Sequence, residues 1–261
     1  MVKKYSLALW WWAARGLAHI WVIKYIEEKQ IKINEVSGTS MWAIIGALYA
    51  IWKTSTEMIY IAKDISYIKL IDMDFKEWLL KWKKVYEYLY KIFWDTKIED
   101  LNIKLKIVAT NLENGSRYVF TEWKIIDAIR ASISLPWIFI PYKIDSKFYM
   151  DWWIVNNLPI EVLDWIDIIA ISALKQVDND LKRTRKILWI DFNLWFFNLN
   201  FQILQRTIIF MMKQNELRSL EVKWKNIILV EPDYWNLDFH SFTKVDKFVN
   251  IWYNKISSVF K

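Results

Sequence analysis

Short apolar, β-prone stretches alternate with segments of helical period along this chain. Residues 4–9 and 31–37 read as buried strands, each followed by a turn and then a helix, at 15–28 and 41–51. The first helix ends in a polar Glu-Glu-Lys, and the second is small and apolar throughout. Strand, turn, helix, repeated, is the pattern of a parallel sheet with crossover helices. Residues 54–66 and 77–93 carry amphipathic helical spacing. Strands at 105–110 and 118–121 flank Asn114-Gly115, a strong hairpin turn signal. A helix is expected at 125–132, ended by Pro136, and short strands at 147–150, 166–172 and 226–230. Helices at 201–220 and 246–260 close the chain. The pattern is α/β, with no internal repeat, low-complexity linker or clear domain boundary.

Composition narrows the function classes. The chain has 261 residues, 55% hydrophobic and 25% charged, so a packed core is expected and disorder is not. It has no cysteine, which excludes disulfides and cysteine-based zinc sites. The two histidines stand apart from any acidic cluster, and neither a metal nor a cofactor is expected. The net charge is +7, spread along the chain without the dense basic block of a nucleic-acid binder. It suits transient contact with an anionic membrane surface.

The N-terminus has the outline of a signal peptide or anchor, with Lys3 and Lys4 before the apolar run 6–14. Arg15 and His19 sit in the middle of that outline, where lipid would penalise them. The expectation is therefore a cytoplasmic chain, at most peripheral to a membrane.

Candidate chemistry starts at Gly38-Thr39-Ser40-Met41-Trp42, between a strand and a helix. That is the setting of a nucleophile elbow, G-x-S-x-G, in which a strained turn presents the serine at a helix N-terminus. A serine N-cap is the bland alternative. Trp10-Trp11-Trp12-Ala13-Ala14-Arg15-Gly16 occupies the preceding strand–helix junction, where a glycine loop would offer backbone N–H groups to an oxyanion. Asp151-Trp152-Trp153 follows a strand, where a turn Asp is the bland alternative.

These three segments, in this order, resemble the patatin-like phospholipase family, bacterial branch, if tryptophan is read as glycine. That family has a glycine-rich oxyanion loop ending in Arg/Lys-Gly, a G-x-S-x-G elbow, and an Asp-Gly-Gly or Asp-Gly-Ala loop. Residues 14–20, 132–136 and 156–159 are similar to the family as well. The resemblance covers roughly residues 5–175 and implies a catalytic domain there, with 176–261 completing the same α/β domain. It implies a patatin-like three-layer sandwich with a mostly parallel central sheet flanked by helices. It also implies a Ser–Asp dyad, Ser40 as nucleophile and Asp151 as proton acceptor, acting on phospholipids or other acyl esters without a cofactor. Backbone N–H groups near 11–13 would hold the oxyanion. Ala13 departs from members with a further glycine there.

The tryptophans have a pattern of their own. The chain has 19 Trp and 4 Gly, whereas ordinary usage would give roughly 18 glycines. The resemblance expects glycine at 10, 12, 21, 42, 137, 152 and 153, and also at 11, 52 and 165; all are Trp. A gene in which UGA encodes glycine, translated with a table that reads UGA as tryptophan, gives this pattern. The chain as written would then fold poorly or be inactive, its indoles filling the substrate space.

Two other functions fit less of the sequence. Ser40, Asp151 and His240 occur in the order of a Ser-Asp-His α/β-hydrolase, but His240 has no supporting context. A non-catalytic lipid-binding protein would not need both Ser40 and Asp151. A dinucleotide site at the first loop would place Glu35 at the acidic position, before the end of the elbow strand.

Overall fold

The structure, a computed structural model, describes residues 3–10, 17–67, 86–134, 140–151, 158–172, 197–231 and 245–260. The elements in chain order are β1 (Lys4–Trp10), α1 (Leu17–Glu28), β2 (Lys32–Thr39), α2 (Met41–Ala50) and α3 (Ser55–Tyr67). A helical stretch at 86–93, α4, leads to β3 (Lys104–Asn111) and β4 (Arg117–Phe120). Then come α5 (Ile125–Ser132), β5 (Tyr142–Ile144), β6 (Lys147–Met150), β7 (Asp167–Ser172), α6 (Phe197–Leu220), β8 (Asn226–Val230) and α7 (Val245–Val259).

The strands form one sheet, ordered β5-β6-β3-β2-β1-β7-β8, with β4 also on β3. β1, β2, β3, β7 and β8 run parallel; β4 and β6 each pair antiparallel with β3, and β5 pairs antiparallel with β6. The central strands have no solvent face. Leu7, Ala8 and Leu9, and likewise Ile168 to Ile171, are consecutive and wholly buried, as strands covered by helices on both faces require. α2 packs on β2, β3 and α5, while α1 packs against α3 and α7. The expected mostly parallel sheet flanked by helices is what the chain forms.

Most expected elements lie within two residues of those observed, and two differ further. β5 was not expected: three residues are too few to show alternation, and its turn to β6 is made by Asp145 at φ 54 rather than by glycine. α6 starts at Phe197, ahead of the expected residue 201. Pro136 and the first part of the 77–93 segment lie outside the described residues.

The start of the parallel strands is tied by buried charges. Glu35, on β2, is fully buried and meets Lys106 of β3 at 2.7 Å. It also accepts from the Ser6 hydroxyl at 2.9 Å and the Asp164 amide at 2.8 Å. Lys106 further donates to Val162 O at 2.6 Å and to Asp164 at 2.8 Å. Lys225 donates to the carbonyls of Leu163 and Trp165. These contacts fix the connection before β7.

Among the described residues, three tryptophans hold a backbone conformation that bulky residues avoid. Trp52, Trp94 and Trp123 have φ of 63°, 48° and 104°, and all three side chains are exposed. Trp52 and Trp94 follow helices, where a left-handed glycine commonly ends the helix. Among the described residues, no helix is long and apolar enough to cross a membrane.

Candidate active site

Ser40 stands between β2 and α2, at φ 61 and ψ −136. An ordinary N-cap residue has β-region angles and spends its hydroxyl on an amide of the first turn. Ser40 does neither: its side chain makes no capping bond. The turn is therefore strained, with a half-buried serine hydroxyl not used in capping. Gly38 shows why the turn needs its first glycine. A Cβ there would lie 2.7 Å from Trp42 O and 2.8 Å from Trp42 C, because the first turn of α2 folds back onto β2.

Strand pairing brings Asp151 to this turn. Ile107 and Val108 of β3 pair with β2 and also with β4, so those two strands lie on opposite flanks of β3. Thr110 pairs with β4 and with β6, so β6 lies on the flank of β2. β2 ends at Thr39 beside Val108, and β6 ends at Met150 beside Thr110. The two strands thus meet head to head along β3 with only Ala109 between their last partners. Ser40 follows one strand end and Asp151 the other. Asp151 is 2% exposed. Its amide donates to Ser134 O at 2.9 Å, and its carbonyl accepts from the Thr110 hydroxyl at 3.2 Å.

The end of α5 touches both segments. The Ser40 amide donates to Ser132 Oγ at 2.8 Å, and Ser132 Oγ donates to Val108 O at 2.6 Å. Arg130 donates to Ser134 Oγ at 2.6 Å. Burial lowers the pKa of this guanidinium from its ordinary value. Thr110 has no signal in the sequence; Ser132 and Ser134 lie in the segment 132–136, whose resemblance is noted above without a role for either serine.

The first loop departs from the same edge of the sheet. β1 and β2 are parallel neighbours, with Leu9 opposite Gly38, so Trp10 ends its strand beside the elbow. Trp11, Trp12, Ala13, Ala14, Arg15 and Gly16 lie outside the described residues, as do Trp152, Trp153 and His240. Thr39 is buried, and Met41 is 37% exposed next to Ser40.

Trp42 differs from expectation. Its indole does not fill space in front of Ser40. It is 1% exposed and stacks on buried His19, with ring centroids 4.0 Å apart. Because α2 begins at Met41, position 42 points down into the helix layer, where Trp252 also lies near His19.

Known proteins share much of this sequence. A family model described as patatin-like phospholipase matches residues 13–164. An NTE family protein of Mycobacterium tuberculosis is 31% identical over 159 residues, 59% of this chain and 44% of that protein. Neuropathy target esterase sws of Drosophila melanogaster is 29% identical over 180 residues, 64% of this chain and 13% of that one. Lysophospholipase NTE1 of Saccharomyces cerevisiae is 27% identical over 198 residues, 70% and 12% respectively. The chain therefore spans less than half the length of these relatives. VipD from Legionella pneumophila superposes with a TM-score of 0.49 at 12% identity, over 98% of this chain and 66% of that one, too distant to bear on the site.

Proposed function

The chain belongs to the patatin-like phospholipase family, and from that premise we propose that it is a serine hydrolase of lipid acyl esters. Ser40 is the nucleophile and Asp151 the proton acceptor. The observation that carries the reading is the strained Ser40, its hydroxyl unused in capping, at the point where β2 and β6 meet head to head.

Ser40 Oγ attacks the ester carbonyl while Asp151 takes its proton. The tetrahedral oxyanion is held by backbone N–H groups of the first loop and by the α2 N-terminus, whose dipole favours negative charge. Collapse expels the alcohol, which takes the proton from Asp151. Water then attacks the acyl-serine with Asp151 again as base, releasing the fatty acid and restoring Ser40.

The substrate is a phospholipid, lysophospholipid or related acyl ester, met at a membrane surface by a cytoplasmic, peripheral protein. Similarity to a yeast relative named a lysophospholipase puts lysophospholipids first. We also propose that the cell makes this protein with glycine at 10, 12, 42, 152 and 153. Support comes from the tryptophans with positive φ, which occupy glycine conformations elsewhere in the chain.

The test is turnover of lysophosphatidylcholine, diacyl phosphatidylcholine and short-chain nitrophenyl esters by the chain as written and by its glycine form. Ser40→Ala and Asp151→Asn should each remove activity, and a fluorophosphonate should label Ser40. Full activity in Ser40→Ala would overturn the proposal.

A further inference from the structure

We propose that Ser132 is a positioning residue for the nucleophile, and that the end of α5 is a brace setting Ser40 and Asp151 against each other. The inference rests on the dyad reading above.

The strands beside the elbow supply the argument. β2 and β3 pair in parallel up to Thr39 opposite Val108. At the next residue β2 turns away into the elbow. A strand leaving a sheet strands the polar groups that faced each other across the ladder, and buried ones must find partners. Here a side-chain hydroxyl is inserted between them. The Ser40 amide donates to Ser132 Oγ at 2.8 Å, and Ser132 Oγ donates to Val108 O at 2.6 Å. The single hydroxyl is acceptor to one strand and donor to the other, so its one proton and a lone pair are both committed. Ser132 is fully buried, so water has little access to stand in for it.

The insertion fixes the strained residue itself. Ser40 is held at φ 61, a region that persists only where surrounding contacts over-determine it. Its amide bond to Ser132 is one such contact, and the 2.7 Å approach that a Cβ on Gly38 would make to Trp42 O shows how closely the turn is packed. Without the Ser132 hydroxyl, two buried backbone groups lose their partner, or the elbow shifts toward β3 to bond Val108 directly. Either change moves Oγ of Ser40.

The same short segment holds the base. Two residues beyond Ser132, the Ser134 carbonyl accepts the Asp151 amide at 2.9 Å. Ser134 is itself fastened to the last turn of α5: its hydroxyl donates to Arg130 O at 2.8 Å and accepts from the Arg130 guanidinium at 2.6 Å. The spacing of Ser40 and Asp151 is thus carried by residues 132–134, rather than left to two loops from distant parts of the chain.

The experiment compares Ser132→Ala and Ser132→Thr with the unsubstituted protein, using the full chain in two forms, as written and with glycine at 10, 12, 42, 152 and 153. Rates are scaled to the folded fraction. In a form that turns over, Ser132→Ala should lower kcat on the order of 10- to 100-fold, as misplacement of a reacting group does. KM should change little, and fluorophosphonate labelling of Ser40 should slow in parallel. Ser132→Thr, which keeps the hydroxyl, should recover most of the rate; if its methyl prevents folding, Ser132→Cys takes its place and recovers part. Hydrogen exchange gives a readout independent of turnover: the Ser40 amide loses protection in Ser132→Ala while the Ala43 amide keeps it. If Ser40 labels normally and Ser132→Ala keeps kcat and Ser40 protection, the brace is wrong and the dyad stands. If neither form labels at Ser40 and Ser40→Ala retains activity, the dyad reading fails and takes the brace with it.

Discussion

Trp42 stacks face to face on His19, with 4.0 Å between ring centroids and 20° between planes. Position 42 of the elbow is therefore a core position in this chain, and two physical groups stand out among the described tryptophans, besides Trp21, which is also buried, and Trp165 and Trp224, which are exposed without positive φ. Trp42 and Trp252 are buried in the helix layer, while Trp52, Trp94 and Trp123 are exposed on left-handed backbone.

Trp42→Ala should destabilise the chain as written by about 3 to 5 kcal/mol, the usual cost of removing a large buried aromatic. Urea denaturation would read this directly. A change below roughly 1 kcal/mol would mean that the stack on His19 contributes little, since volume-conserving adjustments alone fall in that range.

The exposed group should respond with the opposite sign. Trp52→Gly, Trp94→Gly and Trp123→Gly should each stabilise by about 1 to 2 kcal/mol, the penalty an L-residue pays on left-handed backbone. Trp94 should gain least, because it also gives up a ring contact with Tyr90 at 5.6 Å. Thermal melts of the three single variants test this. Mass spectrometry of the protein from its native host tests the related proposal. Tryptic peptides should carry glycine at 42 and 152, and tryptophan there would rule out a reassigned codon.

The charges at the start of the strands should behave as a buried unit. Lys106→Met leaves Glu35 charged, fully buried and without its 2.7 Å partner, so a loss of about 3 to 5 kcal/mol is expected. Adding Glu35→Gln should return much of it. A double variant no better than Lys106→Met would show that the two charges are not coupled.

Asp164 makes part of this unit sensitive to pH. The Lys106 hydrogen bond, opposed by burial and helped by the Lys106 and Lys104 charges, lowers its pKa below the carboxylate value of 3.8. A carboxyl depressed on folding adds stability above its unfolded pKa and loses it as pH falls through the folded one. Asp164→Asn should therefore cost about 1 kcal/mol or less at neutral pH, since the side chain is more than half exposed and solvent screens it. The difference from the parent should vanish in strong acid, and a gap that persists there would point to packing rather than charge.

Local signals in the sequence were enough for the strand and helix boundaries near Ser40. Apolar runs bounded by polar ends give β1 and β2, and Gly38 before a serine marks the junction. Asn114-Gly115 gives the β3–β4 hairpin because Gly115 takes φ 67. What the sequence could not show depends on distant pairing. Nothing in residues 147–150 says that they join β3 on the flank vacated by β2, yet that placement brings Asp151 to Ser40. The part played by Ser132 was hidden for the same reason: its partners, Val108 and the Ser40 amide, are backbone groups, which carry no residue-type signature. Trp42 was misjudged because the elbow motif suggests a glycine facing the turn, whereas helix geometry from Met41 onward directs that side chain inward.

The head-to-head meeting of β2 and β6 bears on when the protein can first act. During synthesis Ser40 is made before residue 151, inside a sheet that lacks its last neighbour on that flank. Residue 151 arrives only after the β3–β4 hairpin and α5 have been made, and β6 must then find the open end of β3. A nascent or truncated chain can thus build the elbow yet lack Asp151, and under the proposed chemistry it is harmless to the membranes around it. Ester cleavage would then report completed assembly, since it demands that the two strand ends have met.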